Sequence, residues 1–429
     1  MANELRFPAG FLWGAATSAH QVEGGNTAND WWRFEHRKGA IRGERCSGDA
    51  CRHWELFDQD FALASADGHI AHRLSFEWSR LEPARGQFDP GAVAHYHAVL
   101  ASLRKHGLTP IVTLHHFTNP LWIADAGGWE VRETVDHFEA FVRFCAREYG
   151  GEVDWWCTIN EPEVYAFRSF SEGVWPPAVR DDSRAMGVIA NLLEAHGRAY
   201  RVLKSEDRAD ADGDGQAARV GFAKHYTQLE PLRAWNPLDR LQAYFENKVF
   251  IEAVERAPIG GSIDLDIPGA RPVRRALPEL KGTLDWYGLN YYTRWMVRAL
   301  SPKPHVARPG SPRTDLDWGV ARGLRARACP RRELRPAGAG HRERLRRRAR
   351  RVPPARDRGV RRGDAPRGRE RRARARLSAL VAARQLRVGR RLPRPLRSLR
   401  RGLRPPRATA HAAPERRGAG AHCPRERAR

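Results

Sequence analysis

Beyond Trp318 the sequence contains no Phe, Trp or Tyr, and it also lacks Ile, Met, Asn and Lys. A stretch of Arg, Ala, Gly, Pro and Leu without aromatics has too little large apolar surface to offset the entropy of ordering it. That excludes a second packed domain in residues 319–429 and predicts a disordered tail. No apolar run approaches ~18 residues, so no membrane partner or membrane-spanning helix is expected. The first ten residues have no apolar segment of the export type, and the expected location is the cytoplasm. Cysteine is sparse: Cys46, Cys51, Cys145, Cys157, Cys329 and Cys423. Cys46 and Cys51 lie near His53, but no second close pair completes a set of four ligands. Reduced thiols are expected, with no metal.

Charge divides the chain at the same place. The whole sequence holds 75 basic and 50 acidic residues, net +25, which by itself reads as a polyanion binder. Residues 319–429 hold 38 Arg and only seven acids, however, so the tail carries +31 and the first 318 residues carry −6. Such a tail licenses salt-dependent phosphate binding at most, because it lacks the aromatics that stack on bases. No specific nucleic-acid partner is expected.

What remains in residues 1–318 is rich in Trp and alternates short apolar runs with helical stretches, the pattern of repeated β-α units. Strands are predicted at Phe11–Ala16, His69–Phe76, Pro110–Leu114, Trp155–Ile159, Arg219–Ala223 and Leu284–Asn290. Helices are predicted at Asp89–His106, Val131–Tyr149, Arg184–Ser205 and Leu238–Arg256. The fold class is α/β, a (β/α)8 barrel that is incomplete, since six units are present and closure needs eight. In such barrels the chemistry sits at the C-terminal ends of the strands. The polar residues to weigh are therefore Gln21, Arg73, His115, His116, Asn160, Glu161, Asn290 and Tyr292. Taken singly, each is an ordinary strand-end residue; together they favour a site. Asp210, Asp212, Asp214 and Gly215 match the opening of a calcium loop, but Gly221 stands where a bidentate Glu is required. The segment Glu206–Gln216 reads instead as an acidic surface loop.

The sharpest local signal is Trp155-Trp156-Cys157-Thr158-Ile159-Asn160-Glu161-Pro162. An apolar strand delivers an amide and a carboxyl side by side, and Pro162 ends it. A carboxyl against aromatic walls holds its proton more tightly, as a general acid working near neutrality requires. Aromatic faces also stack on pyranose rings while amides, His and Arg bond the hydroxyls, which points to a sugar as ligand.

The run from Phe7 to Gly24, with Gly14-Ala15-Ala16-Thr17-Ser18-Ala19-His20-Gln21-Val22-Glu23-Gly24 at its core, resembles the opening of glycoside hydrolase family 1. That family contains retaining β-glucosidases and β-galactosidases. The resemblance continues in family order through Arg73-Leu74-Ser75-Phe76-Glu77-Trp78-Ser79-Arg80, Thr113-Leu114-His115-His116-Phe117, Pro120-Leu121-Trp122, Thr158 to Pro162 and Gly288-Leu289-Asn290-Tyr291-Tyr292-Thr293. It implies double-displacement hydrolysis of a small-molecule β-glycoside or oligosaccharide. Glu161 matches the acid/base and Asn160 the residue that bonds the sugar 2-hydroxyl. Gln21 and His116 match glycon contacts, Arg73, Asn290 and Tyr292 the groups around the nucleophile, and Trp122 an aromatic wall.

Two family segments are missing in frame: the Thr-Glu-Asn-Gly motif that carries the nucleophile, and the later Trp-Ser-Leu-Leu-Asp-Asn-Tyr-Glu-Trp type of segment. Both emerge when the tail is read one base later. Codons chosen for Gly340 to Leu345 then spell Val-Thr-Glu-Asn-Gly, and codons chosen for Leu380 to Gly389 spell Trp-Ser-Leu-Leu-Asp-Asn-Tyr-Glu-Trp. Residues 1–318 are therefore read as a partial family 1 domain and residues 319–429 as out-of-frame translation after a frameshift near Gly319. The chain as written is expected to be inactive. The reading from a different class is a non-catalytic remnant that binds sugar through the partial pocket or polyanions through the Arg-rich tail.

Overall fold

The computed structural model describes residues 7–310 apart from positions 9, 42, 268, 302–304 and 308. The expectations for residues 319–429, and the boundary at 318, lie outside the described residues. Eleven strands occur among those described: β1 (Gly14–Ala16), β2 (Ala71–Ser75), β3 (Thr109–His115), β4 (Trp155–Asn160), β5 (Arg219–His225), β6 (Gln228–Pro231), β7 (Ser262–Leu265), β8 (Val273–Ala276), β9 (Trp286–Asn290), β10 (Arg294–Val297) and β11 (His305–Ala307).

Six of them form one curled sheet in the order β1-β2-β3-β4-β5-β9, every neighbouring pair parallel. These are the six strands expected from the sequence. β4 is buried from Trp156 to Asn160, and β5 from Arg219 to Lys224. Burial of successive residues means both faces are covered, as the helices of β-α units require. The sheet is an incomplete TIM barrel: among the described residues β1 pairs only with β2, and β9 only with β5. Strand approach is close at Gly221, where a Cβ would lie 2.3 Å from the Trp286 carbonyl oxygen, so only Gly fits.

The helices start where local chemistry directs. Asp89 accepts from the Ala92 N–H at 2.7 Å and Pro90 follows, opening the helix Pro90–Lys105. Asp181 does the same for the 25-residue helix Asp182–Glu206, accepting from Ser183 and Arg184. The helix Glu133–Tyr149 buries Val135, Phe138, Phe141, Val142, Cys145 and Tyr149, the three-and-four spacing of one apolar face. Phe141 from that helix stacks on Trp78 with ring centroids 5.1 Å apart. Trp78, Trp129 and Trp156 are fully buried and help to build the core between sheet and helices, whereas Trp13 and Trp235 are exposed.

Three features depart from the sequence reading. The expected helix Leu238–Arg256 is broken: Pro237–Asn247 gives way to a π-helical turn, Lys248–Glu252, before Ala253–Gly260. The helix His53–Ala66 is unanticipated because only His53 and Phe61 are fully buried on it, leaving a weak apolar stripe. The hairpin β7–β8 and the small sheet β11-β10-β6 are also additional, lying outside the repeated β-α pattern. The expected loop Glu206–Gln216 begins one residue later, since Glu206 closes the helix, and apart from buried Asp207 it is mostly exposed.

Candidate active site

β4 slips register against β5 between Cys157 and Asn160, and the chain then turns sharply. Glu161 has φ of 48°, a left-handed conformation that costs a non-glycine residue about 1 kcal/mol or more. The turn is pinned on both sides. The Glu161 N–H donates to the Ala223 carbonyl of β5 at 2.6 Å, and Pro162 opens the short helix Pro162–Ala166.

Five strands meet at this turn: β4 itself, β5 through the Ala223 carbonyl, and β2, β3 and β9 through side chains. From the end of β9, Asn290 Nδ2 donates to Glu161 Oε1 at 2.6 Å and to Asn160 Oδ1 at 3.0 Å. From β2, Arg73 Nη2 donates to the same Asn160 oxygen at 2.7 Å, while its Nε donates to Thr113 Oγ1 of β3 at 2.8 Å. Arg73 Nη2 also lies 3.6 Å from Cys157 Sγ. Arg73, Asn160, Asn290 and Glu161 are thus one continuous network. Arg73 sits in the middle of β2, inside the predicted strand His69–Phe76, rather than at its C-terminal end.

The electrostatics follow from burial. Glu161 is 5 % exposed, and desolvation pushes its carboxyl up to about 7. The Asn290 hydrogen bond pulls it down, the Glu163 charge pushes it up, and Arg73 and Lys224 pull it down. A carboxyl balanced there holds or gives a proton at neutral pH. Burial holds His116 well below the ordinary histidine range, with Arg73 and His115 adding to the effect, so its ring is neutral. Tyr292 is half-exposed with its ring 5.7 Å from that of His225. Burial, then the Glu161 charge, raises its hydroxyl above the usual tyrosine value.

Not every expected residue joins the network. Gln21 is exposed, and its Oε1 accepts from Ser18 Oγ at 2.6 Å. Trp122 donates its Nε1 to the Glu82 carbonyl at 2.9 Å and sits edge-on to Trp78. His115 turns to the helix side, where Trp129 Nε1 donates to its Nε2 at 3.2 Å. Conversely, the sequence reading passes over Thr113, Glu163 and Lys224. A lysine inside a buried strand, Arg219–His225, was the available signal for Lys224.

Two other clusters were weighed for a ligand. Asp154, Asp210 and Asp212 bring carboxylate oxygens within 4.8 Å of one another. Their lone pairs are already engaged: Asp154 by the Ala211 N–H, Asp212 by Arg219, and Asp210 by the N–H groups of Gly213, Asp214 and Gly215. An open groove of about 400 Å³ lies beside Asn26, Trp54, Ser79, Arg80, Asp89 and His95. Both faces of Trp54 are covered there, by His95 stacked at 3.5 Å and by Arg80 at 4.0 Å, so the ring is not free to stack on a sugar.

The sequence profile of glycosyl hydrolase family 1 matches residues 3–314. The chain belongs to that family. Among solved structures it is similar to a β-glycosidase from Pyrococcus horikoshii, at 34 % identity and a TM-score of 0.64, covering 74 % of this chain and 71 % of that one. The family 1 β-glucosidase from Thermotoga maritima is similar at 27 % identity and a TM-score of 0.67, covering 75 % and 73 %; a further structure of it holds glucoimidazole. The cytosolic β-glucosidase of Homo sapiens is 30 % identical over 325 residues, 68 % of this chain and 67 % of that protein. By family, then, this is an O-glycosyl hydrolase of the β-glycosidase type, carried on an incomplete TIM barrel. No helix among the described residues is long and apolar enough to cross a membrane.

Proposed function

We propose that the site is that of a retaining β-glycosidase for terminal β-D-glucosides, with some tolerance of β-galactosides, working in the cytoplasm. The observation that carries this reading is the buried Glu161 carboxyl, raised to about 7 and hydrogen-bonded to Asn290 in a network with Asn160 and Arg73. Glu161 gives its proton to the glycosidic oxygen as that bond breaks. A second carboxylate about 5 Å away attacks the anomeric carbon to form a glycosyl-enzyme, and Glu161 then takes a proton from the water that releases it. Asn160 bonds the sugar 2-hydroxyl, Gln21 and His116 hold other glycon hydroxyls, and Trp122 walls the pocket. Arg73, Asn290 and Tyr292 surround the attacking carboxylate. No metal or organic cofactor takes part.

The Thr-Glu-Asn-Gly motif that supplies the attacking carboxylate is not in the sequence in frame. The chain as written therefore lacks the covalent step, and a frameshift near Gly319 accounts for the loss. The test compares the full chain with the product of the same gene after the single-base correction. The corrected protein turns over an aryl β-glucoside, whereas the chain as written shows little or no turnover. Equal turnover by both removes the frameshift account, and no turnover by the corrected protein removes the hydrolase reading. Calorimetric titration with glucoimidazole reads the glycon pocket without turnover.

A further inference from the structure

Two residues past Glu161 the sequence carries another glutamate, and β5 carries a lysine in its buried run. Lys224 is 0 % exposed and Glu163 is 4 % exposed. The ammonium uses three donors in three directions: Glu163 Oε1 at 2.8 Å, the His225 carbonyl at 2.8 Å and the Phe250 carbonyl at 3.0 Å. Phe250 lies in the π-helical turn Lys248–Glu252, and its ring meets that of Phe167 at 4.5 Å. One cation thus ties the end of β5, the helix that begins after Glu161, and the break in the helix 237–260. Glu163 keeps its other oxygen, Oε2, buried without a hydrogen-bond partner among the described residues.

A buried ion pair is a poor device for stability, because an apolar pair of similar volume does as well or better. Its place in the fold offers a better account. The charged and titratable groups that bear on Glu161 are Glu163 on the following helix, Arg73 on β2, Lys224 on β5 and Tyr292 after β9, with Asn290 bonding it directly. Glu255 sees the same cluster, acted on by Lys224 and Glu163 while its Oε1 accepts from Tyr287. Lys224 therefore bonds one carboxyl, Glu163, and its charge acts on two more, Glu161 and Glu255.

We propose that the Glu163–Lys224 pair positions the general acid: Lys224 clamps Glu163 in place, and the fixed Glu163 charge keeps the proton on Glu161. Both are positioning residues that act through Glu161. The inference takes its catalytic meaning from the hydrolase reading, but it is tested without sugar or turnover. The full chain is labelled with glutamate carrying ¹³C at the side-chain carboxyl, and the Glu161 resonance is identified by its loss in Glu161→Gln. Glu163→Gln removes the opposing charge and leaves Lys224, so the Glu161 titration midpoint falls by about one pH unit or more. The neutral pair Glu163→Gln with Lys224→Met also lowers the midpoint, by less, because the pull of Lys224 is lost with the push of Glu163. If Glu163→Gln loses its near-ultraviolet circular dichroism, the neutral pair decides, since it leaves no buried charge unpaired. An unmoved or raised midpoint in a folded variant overturns the proposal. A lowered midpoint in the full chain, beside a single-base-corrected protein that turns over no aryl β-glucoside, sinks the hydrolase reading and leaves the pairing intact.

Discussion

Asn290 bonds the Glu161 carboxyl directly through its side-chain amide, and replacing it gives a prediction opposite in sign to that for Glu163. Its Nδ2 donates to Glu161 Oε1 at 2.6 Å and favours the ionised carboxyl. A hydrogen bond to a charged acceptor contributes ~1.5–3 kcal/mol. The same nitrogen also serves Asn160 at 3.0 Å, so the lower end of that range applies. In Asn290→Val the loss of ~1.5 kcal/mol raises the Glu161 midpoint by about one pH unit. Starting from about 7, it moves to about 8. At pH 7.4 the protonated share of Glu161 then rises from roughly three-tenths to roughly four-fifths. The carboxyl ¹³C titration of the full chain between pH 5 and about 9.5 reads this directly, the range being set to bracket both midpoints. A midpoint that stays or falls, in a protein with unchanged near-ultraviolet dichroism, refutes the claim that Asn290 stabilises the charged form.

Two further outcomes are expected. Arg73→Lys cannot serve Asn160 and Thr113 at once, because an ammonium lacks the planar fork that spans β2, β3 and β4. It is expected to weaken glucoimidazole binding about tenfold and to cost ~1–3 kcal/mol of stability, measured by calorimetry and urea denaturation. His196 is fully buried between Thr158 and Thr283, and burial lowers its ring to about 4. Its native form stays neutral while the unfolded form protonates near 6.5, so stability is intact above that pH and falls as pH drops toward 4. His196→Asn removes that sensitivity, and the change in stability between pH 7 and pH 4.5 becomes smaller by about 2.5 kcal/mol. An identical pH dependence in the variant contradicts this.

The fold was legible where burial imposes a single period. β4 is a nearly continuous apolar run, β5 holds the short run Val220–Ala223, and the helix Glu133–Tyr149 shows one clean stripe, so their existence and type followed from the sequence. The helix His53–Ala66 did not, because two fully buried positions in fourteen residues leave no dominant period. The π-helical turn Lys248–Glu252 was invisible for a different reason. Its carbonyl partner is Lys224 on β5, a contact between residues far apart in sequence. The same logic divides the site. Asn160-Glu161-Pro162 announces itself locally, whereas Arg73 and Asn290 stood out only as strand-end polar residues until the resemblance to family 1 gave them roles. Glu163 sits beside the motif, but its meaning depends on a buried lysine sixty-one residues later. Gln21 and Trp122 mark the opposite case, since a matching motif position does not by itself place a side chain against the network.

The contacts that set the acid come from β2, β3, β4, β5 and β9, from the helix Pro162–Ala166 and from Tyr292 just after β9. The acid half of the site therefore assembles from the described residues, while β1 and β9 each keep one side without a partner strand among them. This gives a distinct expectation for the single-base correction. If the proposed frameshift is real, restoring Thr-Glu-Asn-Gly would bring in the second carboxylate that a retaining site holds about 5 Å from its acid. A like charge at that distance makes Glu161 harder to ionise by about one pH unit or more, even though Arg73 shields part of it. The Glu161 midpoint is therefore expected to be higher in the corrected protein than in the chain as written. Substituting Gln for the restored Glu is expected to bring the midpoint back, which separates its charge from any tightening of the barrel. A corrected, folded protein with an unchanged midpoint means that the restored carboxylate does not reach the site, and double displacement then loses its second partner.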